Sequence, residues 1–248
     1  MNLNTKNSIS MKKIIAVLVI LIITQNFIYS QSMEDKNVLV VWGGWDGHQP
    51  EVFANLVEKW LISQKSNYKI YNGIEVYDNF EELIKYDLII QSITMGEISK
   101  KGASNLIKAV SSGVGIAGAH GGLGDSFRNN PNYQFMIGGQ WVSHPGGKVN
   151  FKVNFLDNEL TKGLNDFEIY SEQWYVHYDP NIEIIANTTF TYDFFSWIDG
   201  VVMPVAWKKT FDKGKIFYTS IGHDPMEFEK HPDAWRLLTR GFTWATRN

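Results

Sequence analysis

Three of the chain's six histidines stand behind apolar runs punctuated by glycine. His48 follows the run Val38-Leu39-Val40-Val41-Trp42-Gly43-Gly44, His120 follows Val114-Gly115-Ile116-Ala117-Gly118-Ala119, and His223 follows Lys215 to Gly222. An imidazole titrates near neutrality, so it can pass a proton or, as the neutral ring, ligate a metal. There is no cysteine anywhere in the chain, which removes both a thiol nucleophile and any disulfide. Gly118-Ala119-His120-Gly121-Gly122 has the form of a nucleophile elbow, a sharp strand-to-helix turn that needs small neighbours. Histidine at its centre is a poor acyl acceptor, which leaves proton transfer or metal ligation. The plainer reading is a glycine-rich turn carrying an incidental histidine. No pair of histidines has the spacing of a zinc site on one helix, so a shared site requires long-range folding.

The elements around these residues supply such folding. Pro50 to Gln64 places Val52, Phe53, Leu56, Val57, Trp60 and Leu61 at helical spacing, and Ser99 to Ser112 does the same with Ala103, Leu106, Ile107 and Val110. Tyr68 to Tyr71, Tyr86 to Ser92 and Val114 to Ala119 read as strands, the last two apolar enough to be buried in a parallel sheet. Lys148 to Phe155, Glu183 to Ala186, Val201 to Trp207 and Lys215 to Ile221 read as further strands, and Ala234 to Thr246 as a closing helix. Gly121 to Gly147 is rich in glycine and polar residues and reads as a long loop. Strands interleaved with helices imply βαβ units and a mostly parallel central sheet in a three-layer α/β sandwich. In such a sheet the strands' carboxyl ends share one edge, where ligands bind, so His48, His120 and His223 are predicted to converge there.

The bulk numbers narrow the partners. A formal charge of −3 gives no electrostatic case for nucleic acid. Met11-Lys12-Lys13, the apolar run Ile14 to Ile23 and Ser30 form a secretory signal pattern, with Met11 as a possible start. The apolar run is short of the ~20 residues of a membrane span. Residues 1–30 are therefore predicted to be a signal peptide and 31–248 a single secreted or periplasmic domain.

Five short motifs occur in order: Gly43-Gly44-Trp45-Asp46-Gly47-His48, Gly115 to Gly122 around His120, Ser143-His144-Pro145, Glu172-Gln173-Trp174-Tyr175 and Gly222-His223-Asp224. Together they resemble the trehalose-utilisation (ThuA-like) family, whose fold is similar to class I glutamine amidotransferases and hence flavodoxin-like. Amidotransferases of that fold carry cysteine at the elbow, where this chain has His120. The resemblance implies sugar metabolism in place of amide hydrolysis through a thioester.

The candidate catalytic residues are His120, Glu172 and His223, and the candidate metal ligands are His48, His120, His144 and His223. A divalent ion held there is predicted to be zinc, given the imidazoles. Without a metal, His120 and Glu172 would share proton transfers. Trp45, Asp46, Arg128, Trp174, His177 and Asp224 are candidates for holding a sugar, and no nucleotide cofactor is indicated. These residues predict an exported enzyme acting on a glucoside or keto-sugar derivative by hydrolysis, elimination or isomerisation. The alternative is a carbohydrate-binding protein without catalysis. The partner is in either case a small carbohydrate.

Overall fold

The computed structural model describes residues 32–191 and 193–248, so the expected signal peptide and the Met11 start lie outside the described residues. Three buried strands give the sheet its centre. In β1 (Asn37–Gly44) Val38 to Val41 are wholly buried, and β3 (Leu88–Thr94) and β4 (Gly115–Ala119) are buried along their whole length. A strand covered on both faces needs such continuous apolarity. With β2 (Asn67–Asn72) and β11 (Gly214–Thr219) they form a parallel block in the order β2-β1-β3-β4-β11.

Beyond β11 the sheet turns antiparallel. β10 (Val202–Phe211), β9 (Glu183–Thr189), β6 (Lys148–Phe155) and β7 (Phe167–Glu172) complete a nine-stranded mixed sheet. A separate two-stranded sheet pairs β5 (Gly139–Ser143) with β8 (Tyr175–Tyr178).

Side-chain alternation along the parallel strands divides the core into two layers. Val38 and Val40 face α1 (Pro50–Ser63) and α7 (Pro232–Ala245), packing with Phe53, Val57, Leu61, Leu238 and Phe242. Leu39 and Val41 face the opposite layer with Leu106, Val110 and Tyr133, from α3 (Lys100–Ser111) and α5 (Pro131–Ile137). The three-layer α/β arrangement expected from the sequence is thus present. Short helices α2 (Phe80–Leu83), α4 (Gly121–Gly124) and α6 (Glu227–Lys230) occupy connections.

Helix starts follow local chemistry. Ser99 caps α3 by accepting from the Gly102 amide at 2.8 Å, and Asn130 caps α5 by accepting from Tyr133 at 3.0 Å. Pro50, Pro131 and Pro232 each take a first helical position, where the missing amide proton costs nothing. The segment expected to be one long loop, Gly121 to Gly147, instead holds α4, α5 and β5. Asn130-Pro131 starts a helix and Gly138, at φ 90°, stops it, so the glycines there terminate elements as well as loosen them.

Candidate functional site

The turn after β4 determines the site. His120 has φ 47° and ψ −138°, a conformation that side chains strongly disfavour and that persists only where the surroundings impose it. Its amide donates to the Thr219 carbonyl at 2.7 Å on neighbouring β11. Glycine is needed on either side because backbone crowds in. A Cβ at Gly118 would sit 2.6 Å from the Gln91 carbonyl oxygen, and one at Gly122 would sit 2.7 Å from Ser92 Cα. Buried Gln91 locks the turn from below: its Nε2 donates to the Gly122 carbonyl at 3.1 Å, and its Oε1 accepts from Tyr77 at 2.8 Å.

Four adjacent parallel strands then deliver their ends to this point. β1 leads to His48, β3 ends on Thr94, β4 leads to His120, and β11 leads through Ser220 to His223. The ring centres of His48 and His120 are 4.6 Å apart, those of His48 and His223 5.3 Å, and those of His120 and His223 5.4 Å. His48 Nδ1 lies 2.9 Å from Thr94 Oγ1, a hydrogen bond that orients the ring. Glu172 joins the three imidazoles from the end of β7. One donor atom from each of His48, His120, Glu172 and His223 lies within 4.8 Å of the others.

The proton positions on His120 follow from its partners. Its Nδ1 lies 2.7 Å from the Ser220 carbonyl, which can only accept, so Nδ1 carries a hydrogen. In the neutral ring Nε2 is then a bare lone pair, and it faces Glu172 Oε2 at 3.2 Å. Burial opposes ionisation of Glu172, but His120, His223 and the Trp174 indole N–H, which donates to Oε2 at 3.2 Å, outweigh it and hold the carboxyl well below its usual range. A carboxylate and a lone pair this close need a cation between them, either a proton or a metal ion. His223 Nδ1 lies 3.3 Å from Glu172 Oε1, close enough to favour the ionised carboxyl. Burial, then the neighbouring His120 and His223, lower His48 to about 3, so it is neutral at pH 7.

Three imidazoles with an ionised carboxylate make a donor set of the kind zinc takes. Bonds of ~2.0–2.2 Å around one tetrahedral ion put donor atoms ~3.3–3.6 Å apart, so donors spread over as much as 4.8 Å would draw in by ~1 Å to hold it.

The other candidate residues occupy varied places. His144 stands outside the four-residue group, with Nε2 3.8 Å from Glu172 Oε1. Trp174 is buried, its ring centre 4.3 Å from that of His120, so it walls the site. Trp45 is half exposed, with its ring edge-on to His48 at 4.8 Å. Asp46 is exposed and opens the short helical turn Asp46–His48. Arg128 makes a two-pronged pair with buried Asp125 at 2.5 and 2.7 Å and lies 4.5 Å over the Trp141 ring, whose centre is 5.6 Å from that of His144. His177 is exposed on β8 opposite Gln140, and Asp224 accepts from the Met226 amide at 2.9 Å in a local turn. Thr94, Gln91, Asp125 and Ser220 were not candidates from sequence. They are ordinary polar residues in or beside buried strands, and only their partners reveal their roles.

The fold and site define an α/β protein with a flavodoxin-like parallel core and a histidine–carboxylate cluster at its ligand edge. Residues 37–245 match the ThuA family, described as trehalose utilisation, and the chain belongs to that family. Its structure is similar to that of a ThuA-like protein from Bacteroides uniformis, at 18% identity and a TM-score of 0.68 over 88% of this chain and 93% of that one. A ThuA-like protein from Parabacteroides merdae is similar at 16% identity and a TM-score of 0.66, over 86% and 90% of the two chains. A cytoplasmic protein of Salmonella typhimurium LT2 shares the fold at 11% identity and a TM-score of 0.59, over 86% and 100%. No curated protein matches the chain. With no cysteine, the chain is not a cysteine-dependent amidotransferase. Among the described residues no helix is long and apolar enough to cross a membrane.

Proposed function

We propose that this chain is a carbohydrate-degrading enzyme that acts on a glucoside or a keto-sugar derivative, with His48, His120, Glu172 and His223 holding a divalent metal, zinc foremost. The observation that carries the reading is the convergence of three imidazoles and one carboxylate, whose donor atoms lie within 4.8 Å of one another, with His120 Nε2 3.2 Å from Glu172 Oε2. A bound ion of this class would polarise a sugar oxygen or lower the pKa of a bound water.

The chain's own residues do the rest. Thr94 and Ser220 orient the His48 and His120 rings, and the elbow presents His120 where the strand ends meet. His144, partly exposed and 3.8 Å from Glu172, is the imidazole left over for moving a proton. On a keto-sugar the hydrogen next to the carbonyl is acidic, so a base that removes it can start elimination. The carbon–oxygen bond to the leaving alcohol breaks as the new double bond forms, and the alcohol oxygen takes up a proton. No widely spaced carboxylate pair of the glycosidase kind is then required.

Metal analysis of protein purified without a histidine tag, with turnover of keto-glucosides before and after chelation, tests this. His120→Ala and His223→Ala are each expected to lower turnover at least ~100-fold, the usual scale for losing acid–base or ligand function. Unchanged turnover in both variants refutes the catalytic reading. Full activity after verified metal removal refutes the metal but leaves proton transfer between His120 and Glu172.

A further inference from the structure

The segment 190–201 between β9 and β10 is closed at its neck. The Phe190 amide donates to the Val201 carbonyl at 2.9 Å, and the Gly200 amide returns to the Phe190 carbonyl at 3.0 Å. A short helical turn, Ser196–Ile198, buries Ile198 as its anchor. What it presents outward is unusual: Phe194 is 52%, Phe195 38% and Trp197 75% exposed. Phe195 and Trp197 lie with ring centres 4.6 Å apart and planes inclined by only 32°, so together they make a broad apolar face. Isolated surface hydrophobes need no explanation, but a contiguous face of this kind marks an interaction site.

Its position says what it meets. The Phe194 ring rests against Gly146 so closely that a Cβ there would lie 2.2 Å from Phe194 Cζ. Gly146 belongs to the turn closed by the Gly147 amide on the His144 carbonyl at 2.9 Å, and His144 stands 3.8 Å from Glu172. The neck is tied to the same region, because Phe190 packs on Tyr175 at 5.9 Å and Tyr175 pairs with Ser143. The aromatic face therefore continues outward from the histidine cluster.

We propose that Phe194, Phe195 and Trp197 form a subsite for the ring joined to the reacting sugar, the aglycone of a glycoside. This rests on the glycoside reading above and adds where the second ring sits. Flat aromatic faces accept the apolar face of a sugar or aryl ring. The exposed carboxylates of Asp193 and Asp199, on the same loop, offer acceptors to hydroxyls and repel an anionic lipid surface. A monosaccharide with a methyl aglycone would fill the cluster and leave this face uncovered.

Calorimetric titration of the protein with methyl glucosides, 4-nitrophenyl glucosides and glucose disaccharides, each in both anomers, tests the subsite without requiring turnover. For one anomer the two-ring ligands are expected to bind at least ~10-fold more tightly than the methyl glucoside, from one or two stacked contacts. The double variant Phe194→Ala/Trp197→Ala is expected to reduce that preference to ~2-fold or less, with methyl glucoside affinity and thermal midpoint unchanged. Trp197→Ala alone should fall between. Methyl glucoside binding with no two-ring preference, or a preference that survives the double variant, overturns the subsite and leaves the glucoside reading intact. Binding of no glucoside overturns the subsite together with the glucoside form of the reading above, and leaves its keto-sugar form to the turnover test. A wild-type dimer in sedimentation that the double variant dissociates assigns the face to self-association and overturns the subsite.

Discussion

Gly121→Ala probes the site by displacing a ligand with a single methyl group. Gly121 begins α4 and has no positive φ, so alanine there meets no backbone strain. Its Cβ would lie 2.4 Å from His48 Nδ1, 2.5 Å from His48 Cε1 and 2.9 Å from Thr94 Oγ1. Restoring ordinary contact of ~3.4 Å means moving the His48 ring by ~1 Å and breaking its bond to Thr94. A ligand nitrogen moved ~1 Å out of a ~2.0 Å bond is lost, and a misplacement of that size in a site costs ~100-fold. Zinc affinity should fall by about that factor, or ~2.7 kcal/mol. Overpacking adds a metal-independent cost of ~1–3 kcal/mol, worth ~2–4 °C of melting midpoint per kcal/mol in a domain of this size. The two effects separate when thermal melts are run with and without zinc beside a competition titration against a coloured chelator. The zinc-dependent rise in midpoint should shrink in the variant, because that rise reports affinity directly. Zinc affinity within ~3-fold of wild type would refute the placement of His48 in the donor set.

Two other expectations follow from the same residues. His48 in the folded protein titrates at about 3, through burial and then His120 and His223, against ~6.5 for an unfolded imidazole. Between these values the unfolded chain binds more protons, so the metal-free protein is most stable above pH ~6.5 and loses stability as pH falls toward ~3. Glu172, depressed in the folded state, adds a loss of the same sign below pH ~4.3. Urea midpoints of the metal-free protein at pH 7 and pH 5 measure this, and His48→Gln should flatten the difference; a midpoint that rises on acidification contradicts it. At the other end of the chain, we propose that the mature protein begins near Gln31 outside the cytoplasm, on the basic and apolar pattern from Met11 to Ser30. Amino-terminal sequencing of protein from its native cell checks the cut, and an intact Met1 or Met11 on a cytoplasmic protein defeats it.

The parts of the fold legible in the sequence are those governed by local pattern. Val38 to Val41 and Leu88 to Ile90 are apolar without interruption because both faces are covered, and that pattern permits little besides a central strand. His120 was legible because a strand followed by Gly-Ala-His-Gly-Gly leaves few backbone routes, and the structure holds it at φ 47°. The convergence of His48, His120 and His223 then follows from topology, since β1, β4 and β11 run parallel within one block.

Glu172 depends on long-range pairing. It ends β7, on the outer margin of the antiparallel extension, and reaches the cluster because the chain from Glu172 passes through Trp174 into β8, which pairs with β5. Neither β7 nor β8 carries a strong apolar alternation, with half or more of its residues only partly buried or exposed, so local sequence does not announce either strand. The same weakness hid β5 within a glycine-rich stretch, although that strand brings Trp141 and His144 to the rim of the site. Local pattern therefore located the imidazoles, while the carboxylate that makes them a charged site is placed by pairings far along the chain from His48, between β5 and β8 and between β6 and β7. For that reason Glu172→Gln separates scaffold from site: it preserves shape and the acceptor for Trp174, yet removes the only carboxylate in the four-residue group.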